Sequence, residues 1–187
     1  MTSMALEASS PFTVYDLERM PDDGRRYELI DGDLLVSPVP GLPHQRMAFR
    51  LARILDDVCP GDLEVIIAPF AVQPDDTNEL QPDVLVARRS DLTDKNLPKP
   101  PVLVVEVFSP NSRLVDANLK RAAYARMGVP WYWLVDPVKA AVTVLELGDG
   151  DYRQAARAAG EERLDIGAPF PVRFSPAELI TERRRTG

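Results

Sequence analysis

Cysteine and histidine are almost absent from this chain: Cys59 and His44 are the single examples of each. An internal disulfide cannot form, and a zinc cluster built from cysteine and histidine is excluded. A lone thiol agrees with a reducing compartment. Also missing is any apolar run near the ~18 residues that a membrane-spanning helix needs. The opening residues, MTSMALEASS, lack the basic flank and apolar core of a secretory signal, so the chain is expected to stay in the cytoplasm. Basic residues are outnumbered, 22 Lys and Arg against 29 Asp and Glu, for a net charge of −7. That balance argues against a protein that coats nucleic acid nonspecifically, because such binding relies on many cationic contacts to phosphates. It leaves room for a local carboxylate site with a small cationic rim. There is no Gly-x-Ser-x-Gly elbow, no Walker-type phosphate loop and no Gly-x-Gly-x-x-Gly fingerprint, which removes the commonest hydrolase and nucleotide-binding readings.

The 187 residues, 45% apolar and 27% charged, suffice for one substantial core. A single α/β domain over 1–187 with a short tail at 182–187 is expected, with no internal repeat or low-complexity linker. Residues 11–20 read as a short helix with Thr13 as its cap, ended by Pro21-Asp22-Asp23-Gly24. Residues 27–30 and 33–36 flank Asp31-Gly32, a pair suited to the positive φ angles of a tight hairpin. Pro43 opens a helix over about 43–58, in which Met47, Leu51, Ile54, Leu55 and Val58 recur at helical spacing. Extended runs follow at 63–68, 70–73 and 83–87, then a proline-bearing loop at 88–101. Residues 102–108, VLVVEVF, read as a central strand buried on both faces. A helix over about 113–127 ends at Gly128. Strands at 131–135 and 141–146, weaker strand signals at 163–166 and 171–174, and a last short helix from Ser175 complete the pattern.

Glu106 is the most informative residue, because an ionised carboxylate inside a buried strand is costly unless it is paired or bound to a metal. Alternation puts Val102, Val104, Glu106 and Phe108 on one face, so a second acid must come from a neighbouring strand. Asp83, which follows Pro82 and opens the apolar run Val84-Leu85-Val86, suits that place. Two such carboxylates form an oxygen-rich half-shell for Mg²⁺, which keeps positions for water and substrate phosphate. A cation is then needed beside the reacting phosphorus, and Lys120 can supply it if the helix after Glu106 folds back over the sheet. Asp116, Lys120, Ala123 and Met127 share one side of that helix. Glu28 is a further acid if its strand turns it inward.

Each residue also has a plainer reading. Glu106 fits a buried acid paired with an arginine, and Asp83 alone fits a turn. Lys120 fits an exposed helix pair with Asp116, worth only ~0.2–0.5 kcal/mol. Glu28 fits the solvent face of a hairpin. His44 fits a hydrogen-bonded residue near the core, its titration near neutral pH being the only support for catalysis. Trp131, Tyr132 and Trp133 fit sheet packing, and Arg183 to Arg185 a solvated tail.

Several motifs together resemble a known family. They are Tyr27-Glu28-Leu29-Ile30-Asp31-Gly32, His44-Gln45, Pro82-Asp83, Glu106-Val107-Phe108-Ser109-Pro110-Asn111-Ser112, Asp116 with Lys120, and Tyr132-Trp133-Leu134-Val135-Asp136-Pro137. In this order, over about residues 10–147, the chain resembles the Uma family of restriction-endonuclease-like proteins in the PD-(D/E)XK nuclease superfamily. The resemblance implies a mixed central sheet flanked by helices, with Asp83 and Glu106 as metal ligands and Lys120 as the catalytic lysine. The residues and the resemblance together give the expectation of a Mg²⁺-dependent endonuclease acting on DNA, with Mn²⁺ as a substitute and the Val107 carbonyl as an added ligand. Two other readings stay open: RNA or another phosphodiester as substrate, and a nuclease-fold domain that binds or regulates without turnover. Cutting both strands of a duplex is simplest for a homodimer. The superfamily usually places its lysine two residues after the glutamate, where this chain has Phe108.

Overall fold

The computed structural model describes residues 11–109 and 112–180. The opening decapeptide, Pro110-Asn111 of the Ser-Pro-Asn-Ser motif, the tail at 182–187 and its arginines Arg183 to Arg185 lie outside the described residues. Helix α1 is only Val14–Leu17, shorter than the 11–20 expected, but Thr13 caps it in a reciprocal box with Asp16. The hairpin β1 (Arg26–Ile30) and β2 (Asp33–Ser37) turns at Asp31 and Gly32, both at positive φ. A Cβ on Gly32 would lie 2.4 Å from Pro11 Cβ, so both the turn and the packing of the preceding segment require glycine.

Helix α2 (Leu42–Asp56) begins with proline in its first turn and buries Met47, Leu51 and Leu55. Strands β3 (Leu63–Ile67), β4 (Ala71–Asp75), β5 (Asn78–Leu80), β6 (Val84–Arg88), β7 (Asn96–Leu97) and β8 (Leu103–Val107) follow. A wide π-type turn, Val115–Lys120, runs into helix α3 (Arg121–Met127), which Gly128 stops at φ +78°. The chain continues through β9 (Trp131–Asp136), β10 (Ala141–Gly148), β11 (Asp151–Ala159), β12 (Leu164–Ile166) and β13 (Val172–Phe174). A final short turn of helix, Pro176–Leu179, is capped by Ser175 and Glu178.

These strands form a six-stranded sheet in the order β11-β10-β9-β8-β6-β3 and a five-stranded sheet in the order β2-β1-β5-β4-β7, with β12 and β13 paired separately. The larger sheet is mixed: β8 runs parallel to β9 and antiparallel to β6. Strand β8 is therefore central, and all five of its residues are buried. Its alternation sends Leu103, Val105 and Val107 into the core with Met47, Leu51, Leu55 and Trp133. Val104 points the other way, toward Ala123, Tyr124 and Tyr132. Glu106 shares that second face by the period of two.

Three elements depart from the sequence expectation. The loop at 88–101 contains β7, β5 lies between the extended runs at 70–73 and 83–87, and β11 has no counterpart among the expected strands. The helix expected over 113–127 is present over that span, with the π-type turn Val115–Lys120 set into it before the regular α-helix Arg121–Met127. Its π-type turn is held by Tyr132, whose hydroxyl donates to the Asp116 carbonyl at 2.8 Å.

Candidate active site

Asp83 stands immediately before β6, at the strand end facing a loop, and its carboxylate is held by three donors. Arg26 Nη1 lies 3.3 Å from Oδ1, while His44 Nε2 at 3.0 Å and the Val107 backbone N–H at 2.8 Å serve Oδ2. Burial pushes the Asp83 carboxyl up, but the hydrogen bond and charge of His44, then Arg26 and the Val107 N–H, bring it below the usual range. Asp83 is therefore a carboxylate near neutral pH. The Val107 contact joins the end of β6 to the end of β8 and fixes Asp83 on the strand carrying Glu106.

Glu106 is only 2% exposed. Its Oε1 accepts from Lys120 Nζ at 3.1 Å and from the Tyr124 hydroxyl at 2.9 Å. Among the described residues no hydrogen bond is made to its Oε2. Burial raises the Glu106 carboxyl well above its ordinary value, more than the Lys120 charge lowers it, and Asp83, Asp116 and Glu28 add to the rise. Lys120 has a second anion, Glu28 Oε1 at 3.0 Å, which also accepts from the Gln81 N–H at 2.8 Å. Burial alone would lower the Lys120 ammonium, but Glu106, Glu28 and Asp116 raise it, so it is a fixed cation. Asp116 completes the group: burial, against the pull of Lys120 and Ser112, raises its carboxyl to about 6.

Arg26, Glu28, His44, Asp83, Glu106, Asp116 and Lys120 border one cavity of about 250 Å³, and Tyr124 supports Glu106 from behind it. Glu28 faces it from β1, His44 from the first turn of α2, and Lys120 from the end of the π-type turn. The predicted residues Glu28, Asp83, Glu106 and Lys120 are thus brought together, and Val107 lines the same cavity. Both the solvent-facing reading of Glu28 and the exposed-pair reading of Lys120 are excluded, since Glu28 is 1% and Lys120 3% exposed. His44 is hydrogen-bonded, as its plainer reading held, but to Asp83 and at the cavity wall.

Arg26 and Tyr124 were not found from sequence. Arg26 follows the polar stretch Asp22-Asp23-Gly24-Arg25 and lies just before the run 27–30 expected as a strand. Tyr124 continues the spacing Asp116, Lys120, Tyr124, and that four-residue step was the available signal.

The donor set fits a hard divalent cation. Asp83 and Glu106 offer carboxylate oxygens from adjacent strand ends, and among the described residues the buried Glu28 Oε2 has no hydrogen-bond partner. Among the described residues no three Asp, Glu, His or Cys side chains converge as a closed metal cage. Mg²⁺ characteristically needs none, since it uses one or two carboxylates and completes its shell with water and phosphate oxygens.

The mixed sheet, flanking helices and carboxylate-lysine cavity define a restriction-endonuclease-like protein. A family profile described as "Uma2: Putative restriction endonuclease" matches residues 14–180, and the chain belongs to that family. The fold is similar to the crystal structure of a protein from Anabaena variabilis described as "a putative nuclease belonging to DUF820". The TM-score is 0.68 at 17% identity, covering 91% of this chain and 98% of that one. Comparison with curated proteins gives no match.

Proposed function

We propose that this chain is a metal-dependent endonuclease that hydrolyses DNA phosphodiester bonds, with Asp83 and Glu106 holding Mg²⁺ or Mn²⁺ beside Lys120. The observation that carries the reading is the meeting of Asp83, Glu106 and Lys120 at one buried cavity. Lys120 reaches Glu106 from the turn after β8, so Phe108 at the usual lysine position does not deprive the site of a cation.

Asp83 Oδ1 and Oδ2, Glu106 Oε2 and the Val107 carbonyl are the oxygens that would hold the ion. Bound there, it would lower the pKa of a water and offset charge on the phosphoryl oxygens. Lys120 holds Glu106 by Oε1, which keeps Oε2 for the ion, and its ammonium supplies fixed positive charge at the reacting centre. A lysine kept protonated does not act as the base. Asp116, whose carboxyl is raised to about 6, is the cavity's acceptor for a proton leaving the water. His44 and Arg26 keep Asp83 in place and ionised. No covalent intermediate is required, because positioning and electrostatics supply the rate.

The purified chain is incubated with Mg²⁺ or Mn²⁺ and DNA or RNA, beside Asp83→Ala and Glu106→Ala. Cleavage by the parent, lost in both variants, supports the reading. No cleavage of either nucleic acid, or equal cleavage by the variants, overturns it.

A second reading, a nuclease-fold domain that binds a partner without turnover, is favoured by one observation: Lys120 already has two anionic partners. Metal titration by calorimetry separates the two readings. A binding module has no reason to contain a metal site that Glu106→Gln abolishes.

A further inference from the structure

We infer that Arg26 is the residue that grips a substrate phosphate at the cavity, forming hydrogen bonds to the non-bridging oxygens of a phosphodiester. The inference rests on the nuclease reading for the identity of the substrate, but not for the existence of the phosphate site.

The cavity presents a charge problem that Lys120 does not solve. Glu28, Asp83, Glu106 and Asp116 all border it, and an incoming phosphodiester adds a further negative charge. Lys120 has a side chain only 4% exposed and gives hydrogen bonds to both Glu28 and Glu106. His44 gives its Nε2 proton to Asp83. Arg26 differs from both. Its guanidinium carries five N–H donors, and its side-chain contacts use only Nη1, to the Gln81 carbonyl at 3.0 Å and Asp83 Oδ1 at 3.3 Å. Among the described residues neither Nε nor Nη2 has a hydrogen-bond partner, and neither is among the buried polar atoms left without one. With 17% of its side chain exposed, the guanidinium has an open edge at the cavity.

Its anchoring also suits the task. The two Nη1 contacts hold the planar group still, and a planar fork of N–H donors matches two phosphate oxygens where an ammonium offers a point charge. Asp83, the acid proposed to hold the metal, fixes the same guanidinium, so a phosphate bound by Arg26 lies beside the ion's ligands. Arg26 stands at a boundary as well. With Val39 and Pro40 it lines both the cavity and a neighbouring open depression of about 400 Å³ that also contains Tyr27 and Gln81. A phosphate at Arg26 leaves that depression for the adjoining nucleoside.

The test uses the full chain, Arg26→Gln and Arg26→Lys. Fluorescence anisotropy reads binding of a short labelled single-stranded oligodeoxynucleotide in Ca²⁺, and calorimetry reads Mn²⁺ affinity on the same preparations. The expected result is at least a tenfold loss of oligonucleotide affinity in Arg26→Gln, a smaller but clear loss in Arg26→Lys, and Mn²⁺ affinity within threefold of the parent in Arg26→Lys, which keeps a cation beside Asp83. A second oligonucleotide of the same length, with neutral methylphosphonate linkages throughout, should bind the parent weakly and discriminate little between parent and Arg26→Gln. Equal oligonucleotide binding by parent and Arg26→Gln overturns the inference. So does a parallel loss of Mn²⁺ affinity in Arg26→Lys, which would mean that the arginine acts only through Asp83. If the parent binds the oligonucleotide through Arg26 but cuts nothing in Mg²⁺ or Mn²⁺, the cleavage reading fails and the phosphate site stands. If the parent binds no oligonucleotide, both fail.

Discussion

Lys120 Nζ lies 3.1 Å from Glu106 Oε1 although 14 residues separate the two along the chain, and both side chains are almost wholly buried. In this arrangement the cation comes from a helical turn and its partner from the central strand. The pair is only as stable as the packing of that turn against β8. The same ammonium serves Glu28, so removing it strands two carboxylates.

Lys120→Met should therefore destabilise the fold by about 3–5 kcal/mol at neutral pH, the usual cost of leaving a buried charge without its partner. Urea unfolding of parent and variant measures it. A loss below about 1 kcal/mol would mean that the network is dispensable to the fold.

Tyr124→Phe removes one of the two donors on Glu106 Oε1 while keeping the ring in the core. Groups that orient a metal's ligands typically influence affinity by about 10- to 100-fold. Mn²⁺ titration should show a loss of roughly tenfold with the thermal midpoint little changed. Unchanged affinity would show that Lys120 alone orients Glu106.

The Asp116 carboxyl, raised by burial from 3.8 to about 6, binds its proton more tightly folded than unfolded. The folded chain takes up a proton between those values, so this group's contribution to stability falls as pH rises from about 4 to 6. At pH 7 the penalty is on the order of 3 kcal/mol, at about 1.4 kcal/mol per unit. Asp116→Asn, measured without metal, should be more stable than the parent at pH 7 and equal to it near pH 4. A variant less stable at both pH values would show that the Asp116 charge is needed by Lys120.

Gly32→Ala should cost about 1–3 kcal/mol, because its backbone stands at φ +80° and an added methyl meets Pro11. Thermal unfolding tests this. A neutral outcome would show that the segment before α1 yields readily.

Particular residues show how far the sequence could be read. Glu106 was legible because one acid interrupts an apolar run, and Asp83 because it opens the next strand in reach. Lys120 was legible chiefly through resemblance, since helical spacing alone also suits an exposed pair. Glu28 could not be placed by period, because the face of a hairpin that turns inward depends on what packs over it. Arg26 and Tyr124 were missed for the same reason: each acts through one polar tip whose target lies far along the chain. Strand β11 was missed because its alanines and arginines do not alternate as apolar and polar. Asp149-Gly150, both at positive φ, was the hairpin signal that could have placed it.

Cleavage of a supercoiled plasmid in Mg²⁺ and Mn²⁺ by the parent chain and by Glu106→Gln tests whether the Glu106 carboxylate holds the ion that cuts DNA. The variant keeps the shape of the side chain, so the fold should survive while the charge that holds the ion is lost. Nicked and linear products are expected from the parent, none with chelator, and a loss in the variant of at least the roughly 10- to 100-fold that disturbing a metal site brings. Cleavage at the parent's rate by Glu106→Gln, or none by the parent in either metal, would contradict that role of Glu106.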